Sequence, residues 1–253
     1  MDANVTVLDG VNQALKEKYK AILSGLFEEL SSPNELSEIF LTSVASGYED
    51  AKRKIMIVGR EPGGGKDWHW GYKGWEIASF QRAEGETLEF YVDKAMAYQK
   101  QIMAKVLNEP KNKQGASFHN FMRRVMKISG DGSAGIIYSN LFCFSDNNGS
   151  TPYEAKDYKY IKTLSHRLLT AQLTILKPHI VIFANGKSSA HVLKSFLELR
   201  SADIVSVDDW FASIEHPDFP SSAFYATTYH PSYRRFTNKI QQQTLHKIFD
   251  KNR

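Results

Sequence analysis

Two hydrophobic periods alternate along the chain. Contiguous apolar runs occupy Lys54 to Val58, Gly135 to Phe142 and Pro178 to Ala184, and a fourth mixed run covers Phe224 to Tyr229. Between them, apolar positions recur every three or four residues, the spacing of a helix with one buried face. That spacing predicts helices from about Val11 to Leu30, Glu35 to Val44, Thr87 to Leu107, Ser117 to Ile128, Tyr153 to Leu176, then to about Leu199, and from Asn238 to Asp250. Weaker strands are expected around Ile204 to Val207 and at Ser213-Ile214. Near-continuous apolar strands alternating with helices point to a mostly parallel sheet covered on both faces. The expected fold is α/β, three layers in α/β/α order, with a central four-stranded sheet in one domain over 1–253. Residues 1–50 form a helical N-terminal extension to it.

Ligands of open parallel sheets sit beyond the carboxyl ends of the strands. The first strand opens into Gly59-Arg60-Glu61-Pro62-Gly63, and the last into His230-Pro231-Ser232. A carboxylate and a histidine at two such ends can meet over one substrate. The stretch from Gly63 to Gly85 holds six glycines and three of the four tryptophans. Disordered segments are poor in aromatics, so it reads as a long functional loop.

Composition narrows the classes. The 253 residues are 42% hydrophobic and 24% charged, enough for a sizeable core. No apolar run reaches the roughly 18 residues needed to cross a bilayer. Residues 1–4 show neither the basic start nor the apolar stretch of a signal peptide, so a cytoplasmic location is expected. The one cysteine, Cys143, lies among Leu and Phe and reads as a small buried hydrophobe; a disulfide or a cysteine-based metal cluster is excluded. A net charge of +4 suits an anionic partner without requiring one.

In this order and at these strand ends, the segments resemble the motifs of the uracil-DNA glycosylase superfamily. Gly59-x-Glu61-Pro62-Gly63 is similar to its first motif and His230-Pro231-Ser232 to its second. Asn140 closes a strand where the superfamily places a base-reading asparagine. Leu176-Lys177-Pro178 through Ala184-Asn185-Gly186-Lys187-Ser188 is similar to its strand–turn–helix unit. The landmarks cover residues of about 50 to 240.

The resemblance implies a glycosylase that hydrolyses the N-glycosidic bond of a flipped uracil or 5-substituted pyrimidine in DNA and leaves an abasic site. Such chemistry needs a carboxylate for water and the sugar cation, a donor for charge on the departing base, and a pocket for the extruded nucleotide. By resemblance these are Glu61, His230 and Asn140, with Gly59, Pro62 and Gly63 shaping the pocket. Trp75 and Phe80 are alternative base-stacking rings, and spacing does not choose between them. Ser232, Tyr233, Arg234 and Arg235 face DNA, with Arg234 either filling the gap left by the base or holding a phosphate.

Departures from the family pattern matter. Glu61 stands where uracil-specific members carry aspartate, and other branches place their acid at the position of Arg60. The competing reading of Glu61 is a loop carboxylate paired with Arg60. Gly63 replaces the tyrosine that blocks the ring 5-position, making room for a substituent. Lysine is absent from both motifs, which implies a monofunctional enzyme, and no metal or organic cofactor is implied. A monomer acting on single- or double-stranded DNA is expected. Further basic residues stand at Lys111, Lys113, Arg123, Arg124, Lys127 and Lys239. Two rivals remain: a catalytically silent relative that binds nucleic acid or a nucleotide, and an unrelated phosphate-binding enzyme using Gly63-Gly64-Gly65-Lys66.

Overall fold

A computed structural model describes residues 10–62, 85–108, 117–130, 132–146, 152–153, 155–186 and 190–251. Its centre is a six-stranded sheet in the order β2-β1-β3-β6-β5-β4, formed by β1 (Ile55–Gly59), β2 (Ile136–Asn140), β3 (Ile180–Phe183), β4 (Ile204–Ser206), β5 (Phe211–Ile214) and β6 (Phe224–Thr228). Every residue of β1 and β3 is buried, as expected of strands covered on both faces. The strands β2, β1, β3 and β6 run parallel, with Gly59 opposite Asn140 and Phe183 opposite Thr227. The β4–β5 hairpin adds on antiparallel to β6.

The expected four-stranded sheet is therefore corrected to six. Hairpin residues Val205 and Ser206 are exposed, so this edge lacks the buried apolar run that marks the inner strands. The helix expected over Glu35 to Val44 is likewise absent. Its backbone instead runs extended, Ser37 N donating to Ser145 O at 2.9 Å and Phe40 N to Cys143 O at 2.8 Å. Asn12 fixes the far end by exchanging hydrogen bonds with both backbone groups of Val44 at 2.9 Å. Those tertiary bonds satisfy the same backbone groups that a helix would have paired internally.

Helices lie on both faces. They are α1 (Gly10–Ile22), α2 (Leu26–Glu29), α3 (Leu88–Asn108), α4 (Ser117–Ser129), α5 (Tyr158–Leu176), α6 (Ala190–Leu197) and α7 (Asn238–Asp250). Alternate strand residues feed two cores. Met56, Val58, Val181 and Phe183 pack with α1, α5 and α6, whereas Ile55, Ile57, Ile180 and Ile182 pack with α4 and α7. The first half of α3 joins the former core (Tyr91, Val92, Met96) and its second half the latter (Met103, Val106, Leu107). Lys177 ends α5 with a left-handed φ of 46° and donates to Leu173 O, and Pro178 then forbids continuation.

The connections divide at β1. From β1 the chain passes through α3 and α4 to β2 on one side, and from β2 through α5 to β3 on the other. Such a divergence opens a crevice at the carboxyl edge of the sheet.

Candidate active site

Each of the four parallel strands ends at that edge with a polar side chain. In spatial order these are Asn140 as the last residue of β2, Glu61 after β1, Asn185 after β3 and His230 after β6.

Asn140 is 5% exposed and held by its neighbours. Its Oδ1 accepts from the Tyr138 hydroxyl at 3.2 Å, whereas its buried Nδ2 has no hydrogen-bond partner among the described residues. Tyr138 packs between Phe40 and Phe118, with ring centroids at 5.0 and 5.3 Å. Burial, and then the negative charge of Glu61, push the Tyr138 phenol up to about 12, so it stays a protonated donor. With Oδ1 engaged, the amide offers an N–H to the crevice.

Gly59 makes this arrangement possible. A Cβ built there would stand 2.4 Å from Asn140 Oδ1, closer than any real contact. Pro62 is buried beside it in sequence, at the start of the loop.

Glu61 is paired with Arg60. The guanidinium reaches both carboxylate oxygens, Nε to Oε2 and Nη2 to Oε1, the latter at 2.6 Å. The Glu61 side chain is 9% exposed. The hydrogen bonds that Arg60 donates to Glu61 raise the Arg60 pKa, as a charge-assisted bidentate pair must. The pairing that competed with a catalytic reading of Glu61 is thus present. Tyr153 lies within electrostatic reach of both partners.

His230 is half-buried and neutral. Burial and then the Arg60 charge bring its pKa down to about 4. Its Nδ1 accepts the Ser232 backbone N–H at 3.2 Å and sits 2.6 Å from Ser232 Oγ. A nitrogen that accepts a backbone N–H carries no proton, so the ring proton of the neutral histidine resides on Nε2. Its ring lies 5.9 Å from that of Phe118, which also packs on Tyr138; one α4 side chain thereby links the histidine to the asparagine side.

The loop after His230 is pinned at two points. Buried Gln241 of α7 donates from Nε2 to Pro231 O at 3.1 Å and to Phe236 O at 2.7 Å, while Arg124 of α4 bonds its Oε1. Between the pins, Ser232, Tyr233, Arg234 and Arg235 are exposed. Tyr233 stacks on Tyr229 at 4.7 Å, and Tyr229 packs on Trp210 at 5.4 Å. The segment expected to meet DNA is accordingly a displayed turn on an aromatic base.

Other expectations divide. Arg123 and Arg124 are spent inside the protein: Arg123 Nε donates to Val106 O at 2.7 Å, and Arg124 also bonds Asn238 of α7. Gly63, Trp75, Phe80, Lys111 and Lys113 lie outside the described residues. Cys143 is 5% exposed, accepts from Ser165 Oγ at 3.1 Å and is pushed up to about 12 by burial, a structural thiol. His216, in the similar His-Pro-Asp sequence, follows an antiparallel strand and so sits at the opposite edge, bonded to Leu197 O at 2.7 Å. Among the described residues no helix is long and apolar enough to cross a membrane, and no group of three His, Cys, Asp or Glu side chains could hold a metal.

Sequence reasoning did not reach Phe118, Tyr138, Tyr153 or the role of Gln241. Phe118 and Tyr138 carried a signal, a ring opening an amphipathic helix and a ring two residues before Asn140, but only packing joins them.

The family model of the Uracil DNA glycosylase superfamily matches residues 46–251. The chain belongs to that superfamily. All six strands and helices α3 to α7 fall inside the matched span, and so do the four polar strand ends. No curated protein matches the sequence. Superfamily membership agrees with the α/β architecture and with the order of the landmarks. The six-stranded sheet keeps the parallel core that the motifs require.

Proposed function

We propose that this superfamily member is a monofunctional DNA glycosylase that hydrolyses the N-glycosidic bond of an extruded uracil or 5-substituted pyrimidine. The observation that carries the reading is the convergence of Asn140, Glu61 and a neutral His230 on one edge of the sheet, with the His230 proton assigned to Nε2.

Each group has a role that its surroundings suit. The free Nδ2 of Asn140 is a donor, which favours a ring carbonyl over the exocyclic amine of cytosine. The Nε2–H of His230 donates to a pyrimidine carbonyl as charge builds on the departing base; a neutral donor needs no protonation at ordinary pH. Glu61 orients a water and takes its proton. The C1′–N1 bond breaks with its electron pair leaving on the base, the water oxygen bonds C1′, and the base anion is protonated after release. Ser232, Tyr233, Arg234 and Arg235 contact DNA, and Arg234 or Tyr233 occupies the gap in the stack.

The Arg60–Glu61 pair favours a second reading, a catalytically silent relative that binds a nucleotide or nucleic acid in the same pocket, because both carboxylate oxygens are engaged. Incubation with DNAs bearing uracil, thymine, 5-hydroxymethyluracil and glycosylated pyrimidines, followed by mass spectrometry of released base, separates the two. The enzyme releases at least one base, loses it in Glu61→Gln and keeps or gains rate in Arg60→Ala. A silent relative releases none, and release of uracil alone would refute the broadened pocket.

A further inference from the structure

Among the described residues, Asn185 alone has both side-chain polar atoms sealed from solvent with no hydrogen-bond partner. The residue is 3% exposed. A buried amide with neither donor nor acceptor satisfied is unfavourable, and in a native protein each such group calls for a specific reason, a catalytic or binding role among them. Asn140 is the same kind of side chain at the same edge, with one atom engaged and one unmet.

Position supports a ligand role. Asn185 is flanked by two backbone bonds that tie its segment to both neighbouring strands. Ala184 N donates to Val58 O at 2.9 Å, and Gly186 N donates to Thr228 O at 3.2 Å. It therefore stands between the strand that delivers Glu61 and the strand that delivers His230. Neighbouring strands are spaced by about 4.8 Å, so the four polar ends from Asn140 to His230 span about 15 Å, the scale of one nucleotide with its sugar. The backbone there is fixed before any ligand arrives, which is how a reading residue is pre-organised.

We propose that Asn185 is a further base-reading residue of this pocket, its amide completed by a polar edge of the bound pyrimidine. The proposal rests on the nucleotide-pocket reading above, though not on catalysis. Donor and acceptor together make it a specificity determinant, since bases differ in which of the two they meet.

The test compares Asn185→Ala and Asn185→Asp with wild type on DNAs carrying 4-carbonyl and 4-amino pyrimidines, alongside the melting temperature of each protein. With no protein partner to lose, Asn185→Ala melts at or above the wild-type temperature yet loses about tenfold or more in kcat/KM. Asn185→Asp, which lacks the amide donor, changes the ratio of kcat/KM between the two base classes. Wild-type kcat/KM in both variants, or an equal loss on every base, overturns the proposal. If wild-type protein cleaves no DNA, the glycosylase reading fails, and thermal shifts with free uracil, 5-hydroxymethyluracil and cytosine decide. A shift that Asn185→Ala abolishes upholds the assignment. A shift that survives, or no shift in wild type, overturns it.

Discussion

Replacing Gly59 with alanine adds one carbon and two hydrogens, yet the added carbon meets the most sensitive side chain of the site. The new Cβ would lie 2.4 Å from Asn140 Oδ1, and 3.4 Å from Phe118 Cζ and Tyr138 Cε2. The two rings are at ordinary contact and need not move. The amide must retreat by about 1 Å, and it is the far end of a side chain, so the backbone pairing of Gly59 with Asn140 survives. The Tyr138–Asn140 bond is lost at a cost of about 1 kcal/mol, partly offset because alanine loses less chain entropy than glycine on folding. The melting temperature should fall by no more than about 2–4 °C for a chain of this size. Catalysis is more exposed: a 1 Å misplacement of a positioning group costs roughly 100-fold. Single-turnover formation of alkali-labile abasic sites measures this. Asn140→Ala should show a similar loss, and the double variant no more than either, because both act through one amide. Wild-type rate in a folded Gly59→Ala protein would mean that the Asn140 amide does not position the base.

Other consequences are as direct. His230 and His119 are both held near pKa about 4, against an ordinary 6.5. Below pH 6.5 the unfolded chain takes up protons that the native chain refuses until pH about 4. Stability therefore falls as pH drops through that window, by about 2 kcal/mol per histidine at pH 5. Urea unfolding at pH 7 and 5 should show His230→Asn losing about 2 kcal/mol less than wild type. Gln241→Ala removes both N–H bonds that pin the His230 loop and leaves Arg124 with Asn238 alone, so it should cost about 2–3 kcal/mol by denaturation and depress activity with it. Arg234→Ala or Arg235→Ala should lower the slope of log affinity for DNA against log salt by about 1, with stability unchanged. Arg124→Ala should do the opposite, lowering stability with the salt slope intact, as measured by anisotropy across a salt series.

The parallel heart of the fold was legible because burial on both faces writes a contiguous apolar run at Ile55 to Val58 and again at Ile180 to Phe183. The last helix, Asn238–Asp250, was equally plain: Thr237 caps it and its apolar face is periodic. The β4–β5 edge was legible only as two weak strands, since Val205 and Ser206 face solvent and leave no such run, and nothing in the sequence joined them to the sheet. Nor was the extended path after Pro33–Glu35, where bonds to Cys143 and Ser145, over a hundred residues away, override helical spacing. The same split runs through the site. Glu61, Asn140 and His230 announce themselves by standing just beyond strands. Asn185 stands there too, but its interest lies in having no partner among the described residues, which no sequence displays. The contact of Arg60 with Glu61 was open in the sequence as one of two readings, and the structure shows the pairing.

The measurement that bears most directly on the central claim is release of a free base from DNA by wild-type protein and by Glu61→Gln and His230→Ala, read by mass spectrometry with abasic sites counted in parallel. A glycosylase built as described releases a pyrimidine with one abasic site per base, and each variant loses about 100-fold or more. No release from any pyrimidine-modified DNA, or release that both variants retain, would contradict it.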